Sequence, residues 1–322
     1  GNWRQWTTGQ YLKYIAIYYR LSGEEKNLSQ IKTHLTDEFQ LNHIEKPLYN
    51  AEKEVSRSMW SWGMSRMNYF WTWDLIKNHP LFSSIREPMM VRLNEIVQQY
   101  YRYEEERITR LGNTQFWSIA TLGVLGFLTS DEKAIEHAIS GKYGLKTALQ
   151  SKVRDAKFWP EPLSYTLHYV LCAMSLLAEA SKLNDYDDLY NYVAPNGASI
   201  KSLIDGLFDL CNPNGLLVAS GDGSYGAMMD KDGKLRKFDG FGAYLFNSRQ
   251  QRSPNKFEIF YKAYQDPKYA WLINKTEDRY CEDVTVWGDN TLTHGIPLGT
   301  AETPSFYSAK YQGIGHALIS TV

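Results

Sequence analysis

Cysteine is scarce in this chain. There are three, Cys172, Cys211 and Cys281, in 322 residues, and an odd, sparse count argues against a disulfide framework. Cys172 lies in an apolar stretch and reads as a small buried hydrophobe. Long hydrophobic runs are also missing: the longest, Phe116 to Leu128, is too short to span a bilayer, so no membrane insertion is expected. No excess of charge exists either. A formal net charge of -1 gives no reason to expect nucleic acid as a partner. No His, Cys and Asp cluster has metal-ligand spacing, so neither a metal nor another cofactor is expected. No leader is visible at Gly1-Asn-Trp, and the expectation is a secreted or periplasmic protein whose signal peptide has been removed. The sequons at Asn27 and Asn274 are no more than chance supplies. A strict repeat is absent as well, which disfavours a regular solenoid.

What is present is a globular composition, 43% hydrophobic and 22% charged, with an aromatic surplus of 10 Trp, 23 Tyr and 13 Phe. Aromatic rings stack on flat sugar faces, and they also fill large helical cores. Apolar periodicity predicts helices over 6–21, 25–36, 48–78, 88–110, 115–128, 131–149, 162–182 and 199–211. Ser130 is the expected N-cap of the helix starting at Asp131. Helices paired at this spacing predict a mainly α fold of stacked hairpins, either a solenoid or a closed toroid.

After Cys211 the pattern changes. Asn212-Pro-Asn-Gly215 is a turn signal, and Asp230-Lys-Asp-Gly233 reads as a hairpin turn rather than a calcium loop, because the remaining oxygen ligands are missing. Helix resumes over 255–272, and strands are expected within 306–322. The expected division is a helical catalytic domain over 1–305 and a β-strand tail over 306–322, the start of a β-sheet domain.

Five segments carry groups capable of chemistry. In the first, Glu161, Tyr165, His168 and Cys172 fall at i, i+4, i+7 and i+11. They share a face distinct from the apolar stripe of Leu163, Leu167, Val170, Leu171, Met174, Leu177 and Ala178. A carboxylate, a phenol and an imidazole are thereby lined up at one end of a helix, with Trp159 and Tyr169 close by; the competing reading is the rim of a core. The second is Gly112-Asn113-Thr114-Gln115-Phe116-Trp117. Its amides can donate to a substrate carboxylate, or Asn113 is an N-cap; Trp117 stacks on a sugar or fills the core. The third runs from Arg57 to Trp73. Arg66, Tyr69 and Trp73 share a helical face, as do Trp62 and Arg66, and Trp60 lies nearby. Interleaved basic and aromatic groups suit an anionic sugar chain, or they are a buried aromatic face with surface arginines. The fourth is the acidic glycine loop Gly221-Asp222-Gly223, able to approach a ligand closely, or else a plain turn. The fifth is His294, a histidine in the loop segment Thr-Leu-Thr-His-Gly.

Taken in order, these segments resemble the helical-toroid polysaccharide lyases of the heparinase II/III and alginate lyase type. The resemblance rests on Gly112-Asn113-Thr114-Gln115, then Glu161-Pro-Leu-Ser164-Tyr165-Thr-Leu-His168-Tyr169, then Asn214-Gly-Leu through Gly221-Asp222, and it covers roughly residues 50–320. It implies an incomplete (α/α) toroid with a short β-rich C-terminal portion, and β-elimination at a uronic acid in an anionic polysaccharide such as alginate, glucuronan or a glycosaminoglycan. It places the family's catalytic tyrosine at Tyr165 and its carboxylate-neutralising asparagine at Asn113. Many members carry a histidine directly after that asparagine, whereas this chain has Thr114. The departure leaves the base open among His168, His294 and Tyr165 itself, with Gln115 or Arg66 assisting at the carboxylate. Two other readings compete: an (α/α)-barrel glycoside hydrolase using Glu161 and Asp222, and a non-catalytic glycan-binding protein.

Overall fold

The computed structural model describes residues 2–45, 51–210, 228–229, 235–236, 256–275, 299–304, 309–311 and 316–318. The chain divides into two compact units, Gly1–Gly144 and Leu145–Val322, and helix dominates the described residues of both, as the periodicity predicts.

The first unit holds α1 (Asn2–Ser22), α2 (Leu28–Glu38), α3 (Ala51–Ile76), α4 (Ser83–Arg107), α5 (Asn113–Thr129) and α6 (Glu132–Ser140). In α2, Leu28, Ile31 and Leu35 recur at helical spacing and are all fully buried. The 26-residue α3 packs against α1, α4 and α5. Its neighbours approach closely at Gly63, where a Cβ would lie 2.2 Å from the Tyr100 hydroxyl and 2.7 Å from Thr121 Oγ1. The longest apolar run of the sequence becomes α5, buried along its length from Phe116 to Gly126. A helix apolar on every side belongs in the interior. Among the described residues, no helix is long and apolar enough to cross a membrane.

The helix expected over 131–149 is two helices, α6 and α7 (Leu145–Lys152), separated by a turn containing Gly141 and Gly144. The expected cap at Ser130 is corrected too. Ser130 takes a left-handed conformation (φ 58°) that ends α5, while the Asp131 carboxylate accepts from the Ala134 N–H at 3.0 Å. Asp131 is therefore the N-cap, because its side chain reaches the third amide of the first turn.

In the second unit, the helix expected over 162–182 has three parts: α8 (Leu163–Tyr165), a π-helical turn over Thr166–Val170, and α9 (Leu171–Leu183). Then come α10 (Ile200–Asp209), α11 (Lys256–Tyr264) and α12 (Pro267–Lys275). Ser199 caps α10 through a reciprocal pair: Ser202 N–H donates to Ser199 Oγ at 3.0 Å, and Ser199 N–H to Ser202 Oγ at 2.8 Å. The resumed helix expected over 255–272 is split into α11 and α12. Tyr269 of α12 is fully buried, stacks on Phe208 of α10 and donates its hydroxyl to Asp205 at 2.7 Å. Lys201 and Lys268 also reach Asp205, at 2.9 and 2.7 Å.

Two short antiparallel pairs complete the described chain. β1 (Met228–Met229) pairs with β2 (Leu235–Arg236), flanking the Asp230–Gly233 segment expected to turn, which itself lies outside the described residues. β3 (Ala309–Tyr311) pairs with β4 (His316–Leu318), with Tyr311 opposite His316, inside the stretch where strands were expected.

Candidate active site

The Tyr165 segment of the second unit begins at a tight corner. Trp159 is buried, and its indole Nε1 donates to Glu161 Oε2 at 2.6 Å. Pro162 is extended (φ -50°, ψ 144°), and its carbonyl accepts from the Tyr165 and Thr166 amides at 2.8 and 3.1 Å. The helix thus starts immediately beyond a proline, as the restriction on proline's φ and its missing N–H favour. Leu163, Leu167 and Val170 turn into the core. Tyr165 and Tyr169 are both half-buried, their rings edge to face with centroids 5.5 Å apart. The π-helical turn begins directly after Tyr165 and contains Tyr169, a widened register common at functional sites. Two phenols, each partly open to solvent, therefore stand side by side at the start of a helix whose other face is core. His168 sits on that same turn; its side chain lies outside the described residues, as does that of Trp60, and Asp222 and His294 lie outside them altogether.

In the first unit, Asn113 is the first residue of α5 and Gly112 is its N-cap, so the capping alternative for Asn113 is not realised. Asn113 is buried, with 7% of its surface exposed. Gln115 is half-buried and accepts from the Gly112 N–H through Oε1 at 3.2 Å. This back-bond fixes the glutamine carbonyl, leaving its amide nitrogen as the group suited to donate. The first turn of a helix also presents backbone N–H groups and the positive end of the helix dipole, which suits a carboxylate.

The aromatic and basic face of α3 is different. Arg66 is 2% exposed and pairs with Glu38 of α2 at 2.7 Å. Its Nη1 donates to Ser65 Oγ at 2.8 Å, and its guanidinium carbon lies 4.7 Å from the Trp62 ring centroid. Burial pushes the Glu38 carboxyl above its ordinary range, with the charge of Arg66 opposing the rise. Arg66 is thus the counter-charge of the half-buried Glu38 carboxylate. Tyr69 and Trp117 are buried as well, at 2% and 1% exposed, and burial drives the Tyr69 phenol well above its ordinary value. Together with Trp159, these rings belong to the core and offer no face to a sugar. Trp62 alone of the described aromatic candidates on α3 keeps partial exposure.

Sequence reasoning missed Glu38 as the partner of Arg66. The two are 28 positions apart on different helices, and nothing in either segment signals the pairing. Among the described residues, no group of three or more His, Cys, Asp or Glu is arranged to hold a metal.

Residues 5–214, well over half of the chain, match the alginate lyase family, and the chain belongs to that family. It is accordingly a polysaccharide lyase, and its substrate is an anionic polysaccharide. No match to the chain is found among curated proteins.

Proposed function

We propose that this lyase cleaves a uronic-acid-containing polysaccharide by β-elimination, with Tyr165 transferring the proton and Asn113 neutralising the uronate carboxylate. The observation that carries this reading is the half-buried Tyr165, packed edge to face on Tyr169 at the π-helical start of its helix. The ring there is packed in a fixed direction and keeps part of its surface exposed.

The chemistry needs three things. The C5 proton of a uronate is weakly acidic while the neighbouring carboxylate is charged. Hydrogen bonds from Asn113, with the amide of Gln115, spread that charge and stabilise the enolate-like intermediate. A base then removes the C5 proton, the C4–O4 bond breaks as the C4–C5 double bond forms, and O4 takes up a proton. Tyr165 supplies the proton to O4. In same-face elimination the ionised Tyr165 also takes the C5 proton, so one group performs both transfers. In opposite-face elimination the C5 proton goes to His168 or His294. Glu161 and Tyr169 line the Tyr165 side, Trp62 and Trp60 offer sugar-stacking rings, and Asp222 contributes from its glycine loop. Arg66 is left out, because its charge is matched by Glu38. Family membership favours elimination over the hydrolysis that Glu161 and Asp222 would perform, and over binding without cleavage.

The test is direct. Incubation with alginate, glucuronan or glycosaminoglycans should generate the ultraviolet absorbance of an unsaturated uronate. New reducing ends without that absorbance would indicate hydrolysis and overturn the proposal. Alginate is the substrate expected to respond first, and the site of action is expected to be extracellular or periplasmic.

A further inference from the structure

We infer that Tyr143 is a positioning residue for the reaction. Its hydroxyl ties down the turn between α4 and α5, and that turn delivers Asn113. The inference rests on the role proposed above for Asn113.

The turn is short. α4 ends at Arg107 and α5 begins at Asn113, so residues 108–112 are all that links α4 to the asparagine. Ile108 opens the turn in an extended conformation (φ -84°, ψ 96°), with its amide still bonded to the Glu104 carbonyl at 3.2 Å. Its own carbonyl accepts the Tyr143 hydroxyl at 2.8 Å.

Tyr143 arrives from a loop built for close quarters. At Gly141, an added Cβ would fall 2.4 Å from the His137 carbonyl oxygen, and at Gly144 one would fall 2.8 Å from the Ile139 carbonyl. Only glycine fits at either position without displacing backbone. Gly144 N–H closes the loop on the Gly141 carbonyl at 2.9 Å. Two glycines thus fold the chain back after α6, and the tyrosine between them is aimed at the α4–α5 turn. A second tie runs parallel to the first. His137 Nε2 of α6 meets the Glu104 carboxylate in the last turn of α4, and Glu104 is 7% exposed. The Tyr101 ring stands edge-on to that imidazole at 5.8 Å. Both ties join the α6 side to the end of α4, one on each side of the point where the chain leaves the helix.

Amides that stabilise a developing charge act only when held in place, and a small displacement is costly in rate. A single part-buried hydroxyl bond contributes modestly to stability by comparison. Losing the Tyr143 hydroxyl should therefore register in turnover more than in folding.

The experiment is a double-mutant cycle on the purified enzyme with alginate. In Tyr143→Phe, kcat should fall about tenfold while KM and the melting midpoint stay close to the parent's. In an Asn113→Ala background, the same change should lower kcat no further, since the group being positioned is gone. Glu104→Gln weakens the other tie and carries the same expectation, so the cycle remains measurable if one variant fails to fold. An equal loss from Tyr143→Phe in both backgrounds would overturn the inference, as would an undiminished kcat in Tyr143→Phe and Glu104→Gln while Asn113→Ala is impaired. Full activity in Asn113→Ala would overturn the carboxylate role itself, and the inference with it.

Discussion

The centre of α3 and the start of α8 present similar chemistry in the sequence and opposite fates in the fold. Each offers tyrosines beside charged or titratable side chains at helical spacing. In α3, Arg66, Tyr69 and Trp73 are 2%, 2% and 0% exposed. At the start of α8, Tyr165 and Tyr169 remain half-buried. The cause is placement. α3 is packed by α1, α4 and α5, its Arg66, Tyr69 and Trp73 are buried there, and a buried polar group needs an internal partner. Glu38 and Ser65 serve Arg66 in that way. The Tyr165 segment is a helix beginning, set off by Pro162 and widened by a π-helical turn, so only one of its faces is committed to the core. Periodic residue types mark a face; what lies against that face decides between structure and chemistry.

The largest effect that would sharpen this contrast is at Tyr165. Tyr165→Phe should lower kcat by about a thousandfold or more with polysaccharide binding retained, as expected for removal of an acid–base group. Substantial turnover in that variant would place Tyr165 with the core tyrosines. On the α3 side the loss should be in folding. Arg66→Ala leaves the half-buried Glu38 without its counter-ion, and chemical denaturation should report a loss of about 1–3 kcal/mol. A raised KM with unchanged stability would instead return Arg66 to the substrate. Gly63→Ala should cost about 1–3 kcal/mol from overpacking against Tyr100 and Thr121, with KM unaltered in the folded fraction.

The smallest effect separates two carboxylates by pH. Glu38 has one guanidinium partner and its carboxyl is raised by burial, so stability from this group falls as pH rises from its unfolded to its folded value. Asp205 is also pushed up by burial, but hydrogen bonds from Lys268, Lys201 and Tyr269 outweigh that and hold it below its ordinary value. Its folded value lies below the unfolded one, so its stabilisation is present above about pH 4 and is lost as pH falls through the folded value. Asp205→Asn should thus cost about 1–2 kcal/mol at neutral pH, and melting curves of the two proteins should converge in acid. A constant gap across pH would show that the side chain acts by packing alone.

Much of the helix order is readable from apolar spacing, because a stripe every third or fourth residue has no other economical burial. The split of 131–149 was signalled by Gly141 and Gly144, whose significance lies in backbone contacts with His137 and Ile139 that no pattern displays. The π-helical turn at Thr166–Val170 left no mark at all, since one added residue per turn barely alters a helical stripe. Tyr165 and Asn113, the residues proposed for the chemistry, were singled out by ordered motifs and a family resemblance. The burial of Trp117, Trp159 and Tyr69 was not, because an aromatic ring is equally at home in a core and on a sugar.

By itself, the sequence determined a mainly helical protein of the alginate lyase family, for local periodicity and motif order are properties of the chain read along its length. Which basic side chain is matched within the core, which phenols stay open, and how the turn before Asn113 is tied to Tyr143 were decided only by tertiary structure. Those facts depend on which distant helices meet, and a buried charge or carbonyl must find its partner there rather than among its neighbours in sequence.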